Sequence, residues 1–468
     1  MYAVCIDSRA GDFRARPALG TSREEGKDAC RPSRVLRRGD LRRAPLRRSA
    51  TAIVPPVTEL DLDFVRAQFP ALSQHWPDWA LMDNAGGSVA PQQVQTRVAN
   101  YLRRYMIQLG ASYPLSQRAG GIVEEAHEVG EQLVGAQRGE VVINGSTTLN
   151  AKILAMALRP LWKTGDKVIV TNLDHEANIG PWRQLADSGI EVLVWKLRPE
   201  TASLELEDLA PLLDERVRLV SMTHCANVVG RIHDVRAVAD AVHQVGAQLC
   251  VDGVAYAPHR LVDVAALGVD YYLLSLYKVY GPHLGLLWGR RELLEAAKGQ
   301  NHHFIGEHEV PYKLEPGKSN HELSAGIIGI GDYLSAVDGH HHERPAGSDR
   351  AAFGRAFDLF TAHEAAITER LLAFLREHPK VRVLGPQTSD PNERVATVAF
   401  TVEGRKASEI PPLLDARKLA IRWGNFYAVD AIEALGLAEA EGIVRVSMVH
   451  YNTLDEVDRL VRALDEVL

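Results

Sequence analysis

The sequence predicts an α/β protein: a large unit around a mostly parallel sheet, followed by a smaller C-terminal α/β unit. Three observations carry this. Short β-branched runs recur at helix-sized intervals between residues 140 and 275, a long amphipathic stretch follows residue 350, and a second set of short runs lies beyond it.

Taken in order, "EVVIN" (140–144), "KVIVTN" (167–172), "IEVLVWK" (190–196), "VRLVSMTH" (217–224), "AQLCVDG" (247–253) and "DYYLLS" (270–275) each read as a strand. The intervals between them are long enough for crossover helices, so the strands are expected to run parallel. Loops at the carboxyl ends of such strands build the site. That places Ser146 to Thr148, Asp174 to Asn178, His224 to Asn227, Asp252 and Lys278 at corresponding ends. The stretch "AAFGRAFDLFTAHEAAITERLLAFLREHP" (351–379) has apolar residues at helical spacing and leads into the second unit. There "VRVLG", "VATVAFTV", "AIRWG" and "IVRVSMVHY" alternate with helices up to the terminal "TLDEVDRLVRALDEVL". The expected division is a disordered Arg-rich tail at 1–57, a large domain at 58–350 and a small domain at 351–468.

Composition bounds the function. The net charge of −7 is uneven: residues 1–50 carry twelve Arg and one Lys against six acids, so the tail is +7 and the rest −14. An acidic folded part disfavours nucleic acid as a partner. The six acids of the tail also count against a transit peptide. No apolar run approaches the roughly 18 residues that span a bilayer, so no membrane association is expected. Cys5, Cys30, Cys225 and Cys250 show no CxxC spacing, which suits a reducing cytoplasm and disfavours a cysteine zinc site. The histidine clusters "DGHHHERP" and "NHHFIGEHE" lack paired ligand spacing and read as solvated loops.

One lysine stands out. In "LLSLYKVYGPHLGLLWG" (273–289), Lys278 follows a strand-like apolar run. A lysine there either snorkels or has its amine used chemically, since burial favours the neutral nucleophile. A planar, anionic, electron-accepting cofactor on a lysine Schiff base needs a carboxylate at its ring nitrogen, a flat group on its face and donors around its phosphate. Asp252, His175 and the Gly145–Thr148 helix start supply those residue types.

With that set, the chain resembles the class V aminotransferases, fold-type I enzymes that use pyridoxal 5'-phosphate (PLP), and especially their cysteine desulfurase-like subgroup. The segments that carry the resemblance are "LMDNAGGSVAPQQV", "INGSTTLNAKILA", "LDHEANIGPWR", "THCANVVGRIHDV", "VDGVAYAPHRLVDV", "SLYKVYGPHLG", "EPGKSNHELSAGIIGI" and "VRVSMVHYNTLDEVDRL". It implies a mostly parallel seven-stranded sheet in the large domain and a homodimer with shared active sites. It implies Lys278 as Schiff-base lysine and proton carrier, Asp252 at the pyridine nitrogen and His175 stacked on the ring. Thr147, Thr148, Ser275 and Tyr277 would hold the phosphate, with Tyr277 standing where the commoner pattern has His. Arg445, Asn227 and Asn84 would line the pocket for a small amino-acid substrate.

Three departures shape the functional expectation. The subgroup's Arg-x-Gly-x-x-Cys loop reads "IRWGNFYAVD" here, with Tyr427 in place of the persulfide cysteine. The usual Gln at the cofactor's phenolic oxygen is Ala255, with Tyr256 as the neighbour able to replace it. The Gly-Thr that reaches across the dimer is Gly317-Lys318. Without the thiol, the expected activity is a C–S lyase working by β-elimination. Transamination or epimerisation, and a silent PLP-fold scaffold, are the alternatives.

Overall fold

The computed structural model describes residues 59–318 and 320–468, and the tail expected at 1–57 lies outside the described residues. All six expected runs form strands: β1 (Val141–Asn144), β2 (Lys167–Thr171), β3 (Glu191–Trp195), β4 (Val217–Thr223), β5 (Gln248–Asp252) and β6 (Tyr271–Ser275). A seventh, β7 (Gly285–Gly289), returns just after the Lys278 segment. The sheet order is β1-β7-β6-β5-β4-β2-β3. β7 is antiparallel to β1 and β6, and every other pairing is parallel. β5 and β6 are buried almost throughout, as strands covered on both faces must be.

β7 is the strand that the run of β-branched segments does not announce. Its Leu286, Leu287 and Trp288 sit between two glycines, and glycine is a poor strand former. Gly285 is required by a close approach. A Cβ at that position would lie 2.2 Å from the backbone carbon of Ser146. Its absence lets the start of helix α3 seat against the sheet.

Helices α1 (Gln92–Arg104), α2 (Pro114–Val134), α3 (Thr147–Leu158) and α4 (His321–His341) flank the sheet region. α3 begins where Ser146 accepts the Leu149 N–H, an N-cap that fixes its first turn. The amphipathic stretch forms α5 (Asp349–Glu377), capped by Ser348. It buries Ile367, Leu371, Leu372 and Leu375 against a second sheet. That sheet holds β8 (Val381–Leu384), β9 (Thr397–Val402), β10 (Arg422–Gly424) and β11 (Ile443–Ser447) in the order β10-β11-β9-β8, antiparallel throughout. The last helix, α6 (Leu454–Val467), starts with a reciprocal capping box between Thr453 and Glu456.

The run "AIRWG" divides at Ile421. Leu419–Ala420 pairs in parallel with Ala80–Leu81, while Arg422–Gly424 pairs with β11. Ala80 and Met82 are buried in the core of the second sheet, so an early segment of the chain is bound into it. This stitch delivers residues 83–88 to the place where the two sheets meet the Lys278 segment.

Gly285→Ala should lower unfolding stability by about 1–3 kcal/mol or more, because the added methyl meets backbone that cannot give way. Gly339→Ala, inside α4 with nothing near its missing Cβ, should be neutral or stabilising by up to about 1 kcal/mol. Denaturant unfolding of the two variants beside the wild type checks both signs.

Candidate functional site

Lys278 ends a short 3-10 turn, Leu276–Lys278, directly after β6. Its side chain is buried, and its Nζ has no hydrogen-bond partner among the described residues. Burial first, and then the Arg445 charge, push its pKa down to about 8, while Asp252 and Asp83 pull the other way. The backbone beneath it is clamped. Ser88 Oγ lies 3.1 Å from the Lys278 carbonyl and accepts the Tyr280 N–H at 3.1 Å. Tyr280 itself is held in the left-handed region, at φ 62°.

An inner cavity opens beside the lysine, lined by residues that include Ser146, Thr147, Thr148, His175, Asp252, Ser275 and Tyr277. Asp252 closes β5. One of its oxygens accepts the Val254 N–H at 2.8 Å, and the other has no partner among the described residues. Burial pushes this carboxyl up to about 6 against the opposing pull of the Val254 N–H and of Lys278. His175 Nδ1 accepts the Ala177 N–H at 3.0 Å, which leaves the ring proton on Nε2. Burial, with Lys278 and Arg445 adding to it, pushes the imidazole down to about 4. The cavity is therefore bounded by a neutral flat ring.

At the other end stands the N-terminus of α3. Thr147 Oγ1 donates to the Leu274 carbonyl at 2.8 Å and lies 2.7 Å from Ser275 Oγ. The Thr147 and Thr148 N–H groups have no intrahelical acceptor, as at any helix start. Together with the helix dipole they form an anion cradle. Tyr277 flanks it, half-buried and stacked on His283 at 4.6 Å.

An outer cavity of about 320 Å³ continues the inner one, with His175, Asn227, Tyr277 and Lys278 lining both. Its wall holds Arg445, fully buried on β11. Nη1 donates to the Asn227 carbonyl at 3.1 Å and Nη2 to Asp83 Oδ1 at 3.1 Å. The Phe426 ring covers the guanidinium, with 3.7 Å from its carbon to the ring centre. Asn227 Nδ2 donates to the Phe426 carbonyl at 3.0 Å. The neighbouring Tyr427 is exposed, sits at φ 59° and leans over His175 with 5.3 Å between ring centres. Its carbonyl accepts the Glu176 N–H at 2.7 Å.

Of the residues expected from sequence, Lys278, Asp252, His175, Thr147, Thr148, Ser275, Tyr277, Asn227 and Arg445 converge on this cleft. Asn84 does not. It is buried outside both cavities, where Nδ2 donates to the Leu81 and Ser447 carbonyls and Oδ1 accepts the Tyr451 hydroxyl. A side chain so fully committed holds the 83–88 turn and has little left for a substrate. Tyr256 is not at the cavity either; it stacks on His224 at 3.6 Å, while Ala255 lines the wall.

Sequence reasoning passed over Asp83, Ser88 and Phe426, whose partners are remote in the chain. Asp174, which the sequence set at a strand end without a role, receives one here. That buried carboxyl accepts from Thr171, from Asn178 Nδ2 at 2.7 Å and from the Thr223 N–H at 3.1 Å, and so anchors the His175 loop.

The set fits PLP on four counts. A lysine amine is unpaired among the described residues, a buried carboxylate has an uncommitted oxygen, a neutral ring lines the same cavity, and a helix start offers free N–H groups.

The aminotransferase class-V family model matches residues 80–460. The chain is 38% identical over 421 residues to the aminotransferase-like protein FGM3 of Gibberella zeae, covering 88% of this chain and 99% of that protein. It is 31% identical to the cysteine desulfurase-like protein ustD of Aspergillus flavus, covering 90% and 93% respectively. The fold superposes on the cysteine desulfurase CsdA of Escherichia coli with a TM-score of 0.73 and 26% identity, covering 87% of this chain and 98% of that one.

The neighbours of Lys278 give a test with opposed signs. In cofactor-free protein the pH dependence of Lys278 labelling by a small amine reagent, followed by mass spectrometry, should have its midpoint near 8. Arg445→Gln removes a charge that disfavours the ammonium and should raise that midpoint; Asp252→Asn removes one that favours it and should lower it. Shifts in the same direction in both variants would contradict the electrostatic assignment.

Proposed function

Because the chain belongs to the aminotransferase class-V family and is a PLP-dependent enzyme of cysteine desulfurase-like kind, we propose that it is a C–S lyase. It would act on a small α-amino acid and release the β-substituent by elimination. One observation carries the proposal. On the Arg-x-Gly-x-x-Cys pattern that residues 422–427 resemble, we read Tyr427 as standing where a sulfur-accepting thiol would be, and the described cysteines, Cys225 and Cys250, are buried. Burial pushes the Cys225 thiol up to about 12, so the cysteine that lines the inner cavity stays a thiol at neutral pH. With no thiolate placed to receive sulfur among the described residues, the substituent would leave with its electron pair and depart by solvent.

Bound PLP supplies an electron sink that makes bonds at Cα and Cβ labile. Lys278 would hold the cofactor covalently and then, with its amine pushed toward the neutral form, carry the Cα proton. Asp252 would keep the ring nitrogen protonated, since a carboxylate in a buried place gains from facing a cation. His175, neutral and flat, would press on the ring face and exclude water. Thr147, Thr148, Ser275 and Tyr277 would fix the phosphate. Arg445 would hold the α-carboxylate, oriented by Phe426 and by the Asn227 carbonyl.

The homodimer belongs to the same proposal. Leu149, in the first turn of α3 beside the cradle, and Tyr113, Leu115, Met106 and Phe304 are large apolar side chains left exposed. A second copy of this chain would cover them, and Lys318, exposed at φ 63°, would add a cation to the phosphate site of that copy. Leu149→Asp should shift the mass seen in sedimentation equilibrium from dimer toward monomer; a wild type that sediments as a monomer would overturn the dimer.

For the enzyme, a visible absorbance band should form when PLP is added to the wild type. Lys278→Ala should lack the covalent adduct that borohydride fixes in the wild type and should lose at least about 10³-fold in turnover. Pyruvate and sulfide from L-cysteine are the expected products. An amino-group transfer to the cofactor, or racemised amino acid without sulfide, would replace the lyase by transamination or epimerisation.

A further inference from the structure

A second group of cations lies outside the Lys278 cleft, around a small cavity of about 160 Å³ whose lining includes Arg97, Asn100, Tyr101, Arg104 and Arg118. None of its lining residues belongs to the inner or the outer cavity. Arg97, Tyr101 and Arg104 recur at i, i+4 and i+7 on α1 and so share one face. Arg118 comes from the second turn of α2, and Ala325 from α4.

The polar groups here are unequally satisfied. Arg97 is committed: its Nε and Nη2 donate to Asp332 at 2.7 and 2.9 Å, and its Nη1 lies 3.7 Å from Glu125. The side chains of Asn100, Arg104 and Arg118 make no hydrogen bond or ion pair among the described residues. Tyr101 is 1% exposed, and its hydroxyl is buried with no partner. Burial first, and then the Glu322 charge, hold that phenol above its usual range, so it remains a donor. Glu322, on α4, accepts from Asn320 Nδ2 at 3.1 Å. Two guanidiniums and a buried hydroxyl thus form a set of donors that lacks an acceptor.

The helix dipole explains only part of this. A cation in the last turn of α1 is favoured, which accounts for Arg104. Arg118 lies near the opposite pole, at the N-terminal end of α2, where an anion is the favoured neighbour. The cavity is also well below the roughly 300 Å³ of a drug-sized site, so the anion it suits is small.

We propose that this cavity binds a phosphate group from solution, as inorganic phosphate or a small phosphate monoester, held between Arg104 and Arg118 with the Tyr101 hydroxyl as a third donor. Three donors from two helices suit a tetrahedral oxyanion, since one guanidinium can satisfy a planar carboxylate alone. Both arginines are exposed and long, so their heads can close on the anion without moving a helix. The site is separate from the reaction proposed above and does not rest on it.

The test uses PLP-loaded protein reduced with borohydride, so that the cradle at α3 is filled and added phosphate reports on other places. Calorimetric titration with inorganic phosphate and with glycerol 3-phosphate should show saturable binding of at least one of them, and the tighter of the two identifies the form of the ligand. Arg104→Gln and Arg118→Gln should each weaken it about tenfold or more, the value of a charge-assisted contact. Tyr101→Phe gives a sign that a structural role would not. Without phosphate its thermal midpoint should equal or exceed that of the wild type, because an unmet buried hydroxyl is gone; in phosphate it should fall below, because the wild type gains more from the ligand. No saturable binding, binding untouched by both arginine variants, or succinate bound as tightly as phosphate overturns the proposal. So does phosphate that splits a dimer in sedimentation, since a carboxylate of a second copy would then be the occupant.

Discussion

The structure turns on keeping one amine dry. A buried ammonium is costly, and at Lys278 the cost falls on the charged form, which is the form a nucleophilic lysine must give up. The backbone that enforces this is fixed from several directions. Ser88 bridges the Lys278 carbonyl and the Tyr280 N–H, and the Tyr280 hydroxyl donates to the Pro258 carbonyl, on the loop that follows Asp252. That hydroxyl also faces His450 Nδ1 at 3.1 Å, while His450 Nε2 meets the Tyr333 hydroxyl at 2.6 Å. With Tyr280 donating to Pro258, a consistent network puts the imidazole proton on Nδ1 and leaves Nε2 to accept from Tyr333. Lysine loop, Asp252 loop, α4 and the segment after β11 are thus locked together through one neutral histidine, fully buried and stacked on Phe360.

Around that fixed point the charges are sorted by depth. The inner cavity has Asp252 and, behind it, Asp174, both raised by burial, Asp174 further by its neighbour Asp252. The outer cavity has Arg445 and Arg422 with Asp83 between them. Lys278 lies at the boundary and is pulled both ways. An inner carboxylate suits a protonated ring nitrogen, and outer guanidiniums suit carboxylates, so the gradient orients an amphoteric ligand before any close contact forms.

What the sequence made legible follows from how local each signal is. The six runs from "EVVIN" to "DYYLLS" are dense in branched and aromatic residues, and their ends differ from the observed strands by a residue or so. β7 was missed because "GLLWG" is short and glycine-bounded, and Gly285 is there for the sake of Ser146, far off in the chain. Site residues at strand ends could be read because parallel sheets put their loops on one edge. Asn84 was misplaced because its neighbours in sequence do reach the cleft: Ala85 and Gly86 line it, while the amide turns inward to Ser447 and Tyr451. Asp83 and Ser88 were invisible for the converse reason. Each is an ordinary polar residue in a turn, and only its partners, Arg445 and Lys278, give it meaning.

The Trp423–Tyr427 segment shows how a strained loop is held in place at the edge of the cleft. Here Phe426 and Tyr427 are consecutive non-glycine residues at φ 52° and 59°, a conformation that costs of order 1 kcal/mol or more apiece and persists only where contacts over-determine it. Those contacts are present: the Phe426 carbonyl is held by Asn227, its ring by Arg445, and the Tyr427 carbonyl by the Glu176 N–H. Each tether ends on a residue of the cleft or beside one, so the loop cannot shift without disturbing the cleft itself. A segment tied down in this way forms a fixed wall of the outer cavity.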